Sequence, residues 1–255
     1  MDNIKHKKLS LLNRVIFLMI LSVSVSKDAD HSQIAESFIT FAGVKFHIIS
    51  NGSSPNRYIW LHGDEKTAKM ALEYHIKKYS GSAFFIENDT REIPFKSTII
   101  DPNRIFSRNG SYHTLRKFKP GWAPGTLKKA LDELDVQRSE FMNVLMPSKG
   151  ALLISLHNNF RGYNVYKEKN KSQRTSIKTN ENPRDFMICT DEKDFEKLAV
   201  GPYNVVLQNK LPDNDDGSLS WEALRRNIRY LNIETRLGYL SKQKKMLRFV
   251  EENLD

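Results

Sequence analysis

The sequence predicts an α/β chain: a single layered domain whose mixed, mostly parallel central sheet is flanked by helices. Three observations predict it. Short apolar or alternating runs suited to strands recur along the chain. Segments with one apolar helical face lie between them. No polar stretch divides that alternation into two cores, although 255 residues fit one large or two small domains.

The first 26 residues stand apart from the fold. Lys5, Lys7, Lys8 and Arg14 precede the apolar run Val15–Leu21, and small residues alternate with valine through Ser26. This is the three-part pattern of a secretory signal peptide, with cleavage expected near Ser26, and it points to an exported protein. The apolar run is shorter than the roughly 20 residues of a permanent membrane span, so an uncleaved anchor is the lesser alternative to a cleaved signal. Residues 27–255 are the expected folded domain.

Strands are expected near Ile39–Ile49, Tyr58–Leu61, Ala83–Glu87, Ala151–Leu156, Phe186–Cys189, Asn204–Leu207 and Tyr230–Ile233. Helices are expected over Lys66–Tyr79, Thr126–Leu145, Trp221–Arg229 and Leu240–Asn253. In the first of these Ala68, Ala71, Leu72, Ile76 and Tyr79 form one apolar face. Asn158–Arg184 and Leu211–Ser220 read as polar loops. Counting from Asp213, the sixth position of a calcium loop falls on Ser218 where glycine is required, so the second loop is a solvated turn.

A charged fraction of 27% is ordinary for a soluble globular chain. Its single cysteine, Cys189, excludes an internal disulfide framework, a multi-cysteine zinc ribbon and an iron–sulfur cluster. Any metal must be held by histidine and carboxylate. The net charge is +10; four basic residues and one acidic one leave with the signal, which takes it to +7. No run interleaves aromatics and arginines as a nucleic-acid platform does, so the basic surface reads first as a solubilising one.

Four patches carry chemistry. His62 and Glu65 are three residues apart at a strand-to-helix transition, where imidazole and carboxylate can turn toward one point. The plain alternative there is a solvated loop with an acid at a helix start. His157 closes a buried-looking strand, the end of an open α/β sheet where binding groups collect. In Asp101-Pro102-Asn103-Arg104-Ile105-Phe106, Arg104 offers a planar charged fork for a carboxylate and Asn103 a neutral donor beside it. Glu234 lies near the end of an apolar strand, where burial raises a carboxyl toward the range of a general base. A surface pair with Arg236 is its dull alternative.

In this order, His-x-x-Glu, Asp-x-Asn-Arg-x-Phe, a strand ending in histidine and a strand-borne glutamate resemble the zinc carboxypeptidase superfamily. The Asn-Arg-Ile-Phe wording is similar to its compact aspartoacylase and succinylglutamate desuccinylase branch. The resemblance runs from Arg57 to Arg236. It implies one zinc ion bound by His62, Glu65 and His157, with Glu234 as general base and acid. Asn103 and Arg104 match the pair holding a substrate carboxylate. Arg91 matches loosely the arginine that polarises the scissile carbonyl, and Arg108 lies nearby. The tyrosine many relatives carry has no secure match among Tyr203, Tyr230 and Tyr239. Asp64, between His62 and Glu65, is placed to orient the loop or the metal-bound groups.

The expected activity is hydrolysis of an amide or peptide bond beside a free carboxylate by metal-activated water. An exported carboxypeptidase acting on peptides, cell-wall peptides included, is the leading reading. An N-acyl-amino-acid deacylase and a noncatalytic carboxylate-binding protein are its rivals. No nucleic acid and no permanent membrane span are expected; the oligomeric state is left open.

Overall fold

A computed structural model describes residues 34–159 and 162–254. The expected signal peptide over 1–26 lies outside the described residues. The chain opens with a hairpin of β1 (Ile34–Phe41) and β2 (Val44–Asn51), antiparallel from Ile34↔Asn51 to Phe41↔Val44. Sequence alternation had merged this pair into one strand at Ile39–Ile49. The break is Ala42-Gly43, both at positive φ (53° and 79°), a backbone turn that apolar periodicity does not register.

Next come β3 (Arg57–Trp60), α1 (Lys66–Ile76) and β4 (Gly81–Ile86), then a short hairpin of β5 (Ile93–Phe95) and β6 (Thr98–Ile100). A 3-10 turn over Pro102–Arg104 leads into α2 (Arg108–Phe118) and α3 (Pro124–Leu145). After β7 (Leu152–Asn159) come α4 (Val165–Lys169), β8 (Arg174–Ser176), β9 (Phe186–Cys189), α5 (Glu192–Ala199) and β10 (Asn204–Leu207). The chain closes through α6 (Leu219–Arg225), β11 (Arg229–Arg236) and α7 (Leu240–Asn253).

Nine strands form one sheet in the order β1-β2-β4-β3-β7-β11-β9-β10-β8. It is the mixed sheet expected from the sequence, with parallel strands β4, β3, β7 and β11 side by side at its centre. Its margins carry the antiparallel pairs. The difference follows burial. β7 is buried at every position and β3 at three of four, so both read as continuous apolar runs. The edge strand β1 is largely exposed. α1 packs against β3, β4 and β7, and α7 against α1 and β11. Phe141 of α3 meets the rings of Phe41, Phe46, Phe84 and Phe106.

Two elements extend beyond their expected ends. β7 runs on through His157 to Asn159, and β11 runs past Ile233 to Arg236. His157 and Glu234 therefore sit inside paired strands. The polar stretch expected as the loop Asn158–Arg184 contains α4 and β8, whose few residues are ordered by packing on the sheet margin. α2 and α5 also escape a periodicity reading. α2 buries mainly small residues (Gly110, Ser111, Thr114) beside Leu115, and α5 has eight residues, so neither builds a long apolar stripe. None of the described helices is long and apolar enough to cross a membrane.

Candidate metal centre and cleft

His62 leaves the carboxyl end of β3, and Glu65 stands at the cap position of α1. The segment between them is pinned at several points. The indole Nε1 of Trp60 donates to the Glu65 carbonyl at 3.0 Å, and Gly63 N donates to Thr90 O at 3.0 Å. Gly63 has to be glycine: a Cβ there would overlap the Asn88 carbonyl. This close approach brings the Asn88–Arg91 turn against the His62–Glu65 segment.

His157 arrives from the neighbouring strand β7, and three side chains distant in sequence meet. His62 Nδ1 is 2.9 Å from Glu65 Oε1 and 3.2 Å from His157 Nδ1, while His157 Nδ1 is 2.9 Å from Glu65 Oε2. All three residues are buried. Together they form a group able to hold a metal ion. The fit has a geometric basis. Two tetrahedral ligands about 2.0–2.1 Å from a zinc ion lie roughly 3.3 Å apart, close to the separations found here. It also has a chemical basis: two imidazole nitrogens and a carboxylate can each turn an electron pair toward a cation. His157 Nε2 is buried without a protein partner.

Asp101 completes the arrangement around His62. Its Oδ1 lies 2.9 Å from His62 Nε2, which assigns that nitrogen as the donor and leaves Nδ1 as the electron-pair donor. Of the two roles open to Asp64, orienting the loop or the metal-bound groups, the second is filled by Asp101, which makes the contact with His62, while Oδ1 of Asp64 is buried without a partner. Asp101 also caps the 3-10 turn by accepting from Asn103 N at 2.8 Å. Arg91 Nη1 donates to Glu65 Oε1 at 2.9 Å, and its Nη2 lies 3.6 Å from Asp101 Oδ2. Arg91 thus braces two carboxylates while also lining the cleft. Arg108, the other arginine considered, is directed away to Asp132 and Asp135.

The electrostatics follow from this packing. Burial opposes a charge on His62, but Glu65 and Asp101 outweigh it and push its pKa up to about 9. Burial likewise works against the Glu65 charge, and the two histidines overcome it, holding the carboxyl far below its usual range. A raised histidine stabilises the fold below its unfolded pKa of 6.5, and that contribution is lost as pH rises through about 9. A lowered carboxyl stabilises above its unfolded 4.5, and its contribution is lost as pH falls. Chelator-treated protein is therefore expected to be most stable between about pH 4.5 and 6.5 and to lose Tm toward pH 9. Thermal melts across that range check this; a Tm still climbing from pH 6.5 to 9 contradicts it.

Glu234 is the cross-strand partner of His157, and Asn232 that of Ser155. Side chains on one strand face alternate, so Ser155, His157 and Asn159 of β7 form a polar stripe beside Tyr230, Asn232 and Glu234 of β11. Its members are joined. Tyr230 OH is 2.5 Å from Ser155 Oγ, Ser155 Oγ donates to Asn232 Oδ1 at 3.2 Å, and Asn232 Nδ2 donates to Glu234 Oε1 at 3.2 Å. Asn159 Nδ2 lies 3.4 Å from Glu234 Oε2. Burial raises the Glu234 pKa; His157 pulls it down, Glu65 adds to the rise, and the two amides oppose it. Arg236, the alternative partner of Glu234, instead grips Asp185 at 2.8 Å.

These groups open on a cleft of about 460 Å³. It is lined by His62, Glu65, His157, Glu234, Arg91, Asn103 and Arg104, so the structure brings together all seven site residues expected from the sequence. Asn103 also has a scaffolding bond, accepting from Leu219 N at 3.0 Å through Oδ1. None of the three tyrosines considered lines the cleft. Tyr203 packs on Phe249, Tyr230 is bonded to Ser155, and Tyr239 stacks under Arg236. Tyr163 does line it, on the wall with Glu168 and Gln208. It sits in the stretch read as a loop and carries no periodic signal. Trp221 lines the cleft too, while Trp122 is packed away with Nε1 bonded to Leu115 O.

No family model and no curated protein matches this chain. Among solved structures it is similar to a candidate metallopeptidase from Shewanella amazonensis SB2B. The identity is 13% and the TM-score 0.41, over 87% of this chain and 87% of that one. It is also similar to an aspartoacylase family protein from Mesorhizobium loti MAFF303099, at 8% identity and a TM-score of 0.34. That match covers 92% of this chain and 64% of the other.

Proposed function

We propose that this chain is a zinc-dependent hydrolase that cleaves an amide or peptide bond beside a free carboxylate. One observation carries the reading: His62, Glu65 and His157 present ligand atoms within 4.8 Å of one another, and Glu234 stands across from His157 on the next strand. Zinc held there supplies a Lewis acid and a water whose pKa falls from about 15.7 toward about 7. The protein's own residues do the rest. Glu234, raised by burial and oriented by Asn232, accepts the proton of the attacking water and passes it to the leaving amine. Asp101 keeps His62 in the ligating tautomer, and Arg91 holds Glu65 in place. Arg91 also reaches the cleft, where it is placed to polarise a scissile carbonyl.

Arg104 and Asn103 bind the substrate carboxylate. Arg104 is tethered by Nη1 to the Asn103 carbonyl at 2.7 Å, and Asp216 lies 3.7 Å away, so its fork stays in the cleft. Arg104→Ala is expected to raise KM by roughly 10–100-fold with kcat little changed, the loss of one charge-assisted contact. Steady-state kinetics on substrates with free and amidated C-termini check it; an equal KM rise for both contradicts the assignment.

Metal analysis and a substrate panel test the function. One zinc per chain and turnover of short peptides are expected, with activity lost on chelation and restored by zinc. Preference for N-acyl amino acids over peptides assigns the deacylase reading, which the Asn103-Arg104-Ile105-Phe106 wording supports. Bound metal with no hydrolysis of either class overturns the enzyme in favour of a carboxylate-binding protein. The pattern of residues 1–26 supports export, which places peptides outside the cytoplasm, cell-wall peptides included, among the substrates.

A further inference from the structure

A second cavity, of about 390 Å³, lies between α1 and α7 and shares no lining residue with the metal-site cleft. Its charged side chains are all basic: Lys78 from just beyond α1, and Lys244, Lys245 and Arg248 from α7. The neighbouring cations on the same two helices have carboxylates to hand. Lys66 pairs with Asp89 at 2.6 Å, Lys69 with Glu73 at 3.8 Å, and Lys242 with Glu181. The cavity lysines differ. Lys244 sits 3.7 Å over the Tyr74 ring and Lys78 5.4 Å from the Tyr79 ring. Neither they nor Lys245 have a carboxylate partner among the described residues. Arg248 has one, Glu252 at 3.8 Å on its own helix.

The cavity is more than a patch of surface lysines, because its wall includes a built polar group. The His75 side chain, 3% exposed, lines the cavity and is bonded through Nε2 to Glu251 Oε1 at 3.0 Å. The same carboxylate oxygen accepts from Tyr58 OH at 2.5 Å. Glu251 is thereby engaged by Tyr58 and His75 and is not itself part of the lining. Tyr79 stacks on the His75 ring with centroids 4.6 Å apart, which fixes the imidazole against the cavity wall. A space of this size, walled by tyrosines and a rigid histidine and charged in one sense only, draws a compact multivalent anion.

We infer that this cavity binds a phosphate-bearing anion, gripped by Lys78, Lys244, Lys245 and Arg248. Lysine suits phosphate as a mobile point charge, and Arg248 adds a planar fork. The site is independent of the metal centre and stands or falls separately from the hydrolase reading.

Calorimetric titration of the full, chelator-treated chain with pyrophosphate at low ionic strength tests it. Chelation removes any metal that would bind pyrophosphate itself. Binding is expected with a Kd below about 1 mM, weakening steeply with added salt. The double variant Lys244→Gln/Lys245→Gln is expected to weaken it at least about tenfold with Tm unchanged, and Arg104→Ala to leave it as in wild type. No binding by the wild type, unchanged binding by the double variant, or weakening by Arg104→Ala overturns the inference. Vesicles of anionic and of zwitterionic phospholipid separate the sources. Binding to anionic vesicles that pyrophosphate displaces identifies a lipid headgroup, and absence of vesicle binding alongside pyrophosphate binding identifies a soluble phosphate compound.

Discussion

Glu234→Gln is expected to lower kcat for amide hydrolysis by roughly 10²–10⁴-fold, the range for removal of a general acid–base group, with metal content unchanged. Glutamine keeps the shape and one carbonyl oxygen that can accept from the Asn232 amide, but it cannot accept a proton. The carboxyl is buried, which raises its pKa, and two amides keep it oriented and able to ionise. Asn232→Leu is expected to act through that orientation. It removes the donor to Glu234 Oε1 and leaves Ser155 without its acceptor, so kcat falls about tenfold or more with KM nearly unchanged. Full activity in Glu234→Gln, by kinetics on metal-replete protein, removes Glu234 from the chemistry. Full activity in Asn232→Leu alone removes only the positioning role.

Glu65→Gln carries the second large effect, on metal and stability together. Glu65 is 2% exposed and meets His62, His157 and Arg91 within 2.9 Å. Making it neutral removes the one charged member of the proposed ligand set and leaves Arg91 facing an amide. Metal affinity is expected to fall at least about 100-fold, beyond the 10–100-fold range for losing an outer hydrogen-bond partner. The metal-free variant is expected to lose about 3 kcal/mol relative to metal-free wild type, as breaking a buried ion pair does. Equilibrium dialysis against zinc and urea denaturation measure the two effects. Retention of tight zinc binding overturns Glu65 as a ligand.

Much of the candidate site was legible because its residues stand beside strong local signals. His62 follows an apolar strand and precedes a helix, Asn103 and Arg104 lie in a compact motif, and Glu234 follows an apolar run. Other contributors could not be read this way. Asp101 belongs to the same motif as Arg104, but its contact with His62 spans 39 residues and depends on the path of β6 and the following 3-10 turn. Tyr163 reaches the cleft from a segment of polar residues. Ser155, Tyr230 and Asn232 look like interruptions in apolar strands until strand pairing sets them side by side.

Local pattern is enough to mark the central strands and the helices α1, α3, α6 and α7, and to show which residue types are available for metal and proton chemistry, because periodicity and side-chain chemistry are local properties. Tertiary structure alone decided the strand order, the extension of β7 and β11 through His157 and Glu234, and the meeting of donors from β3, α1 and β7 at one point. Those outcomes depend on register between strands and on backbone approaches such as that at Gly63. Such relations hold between residues far apart in the chain, where no local pattern records them.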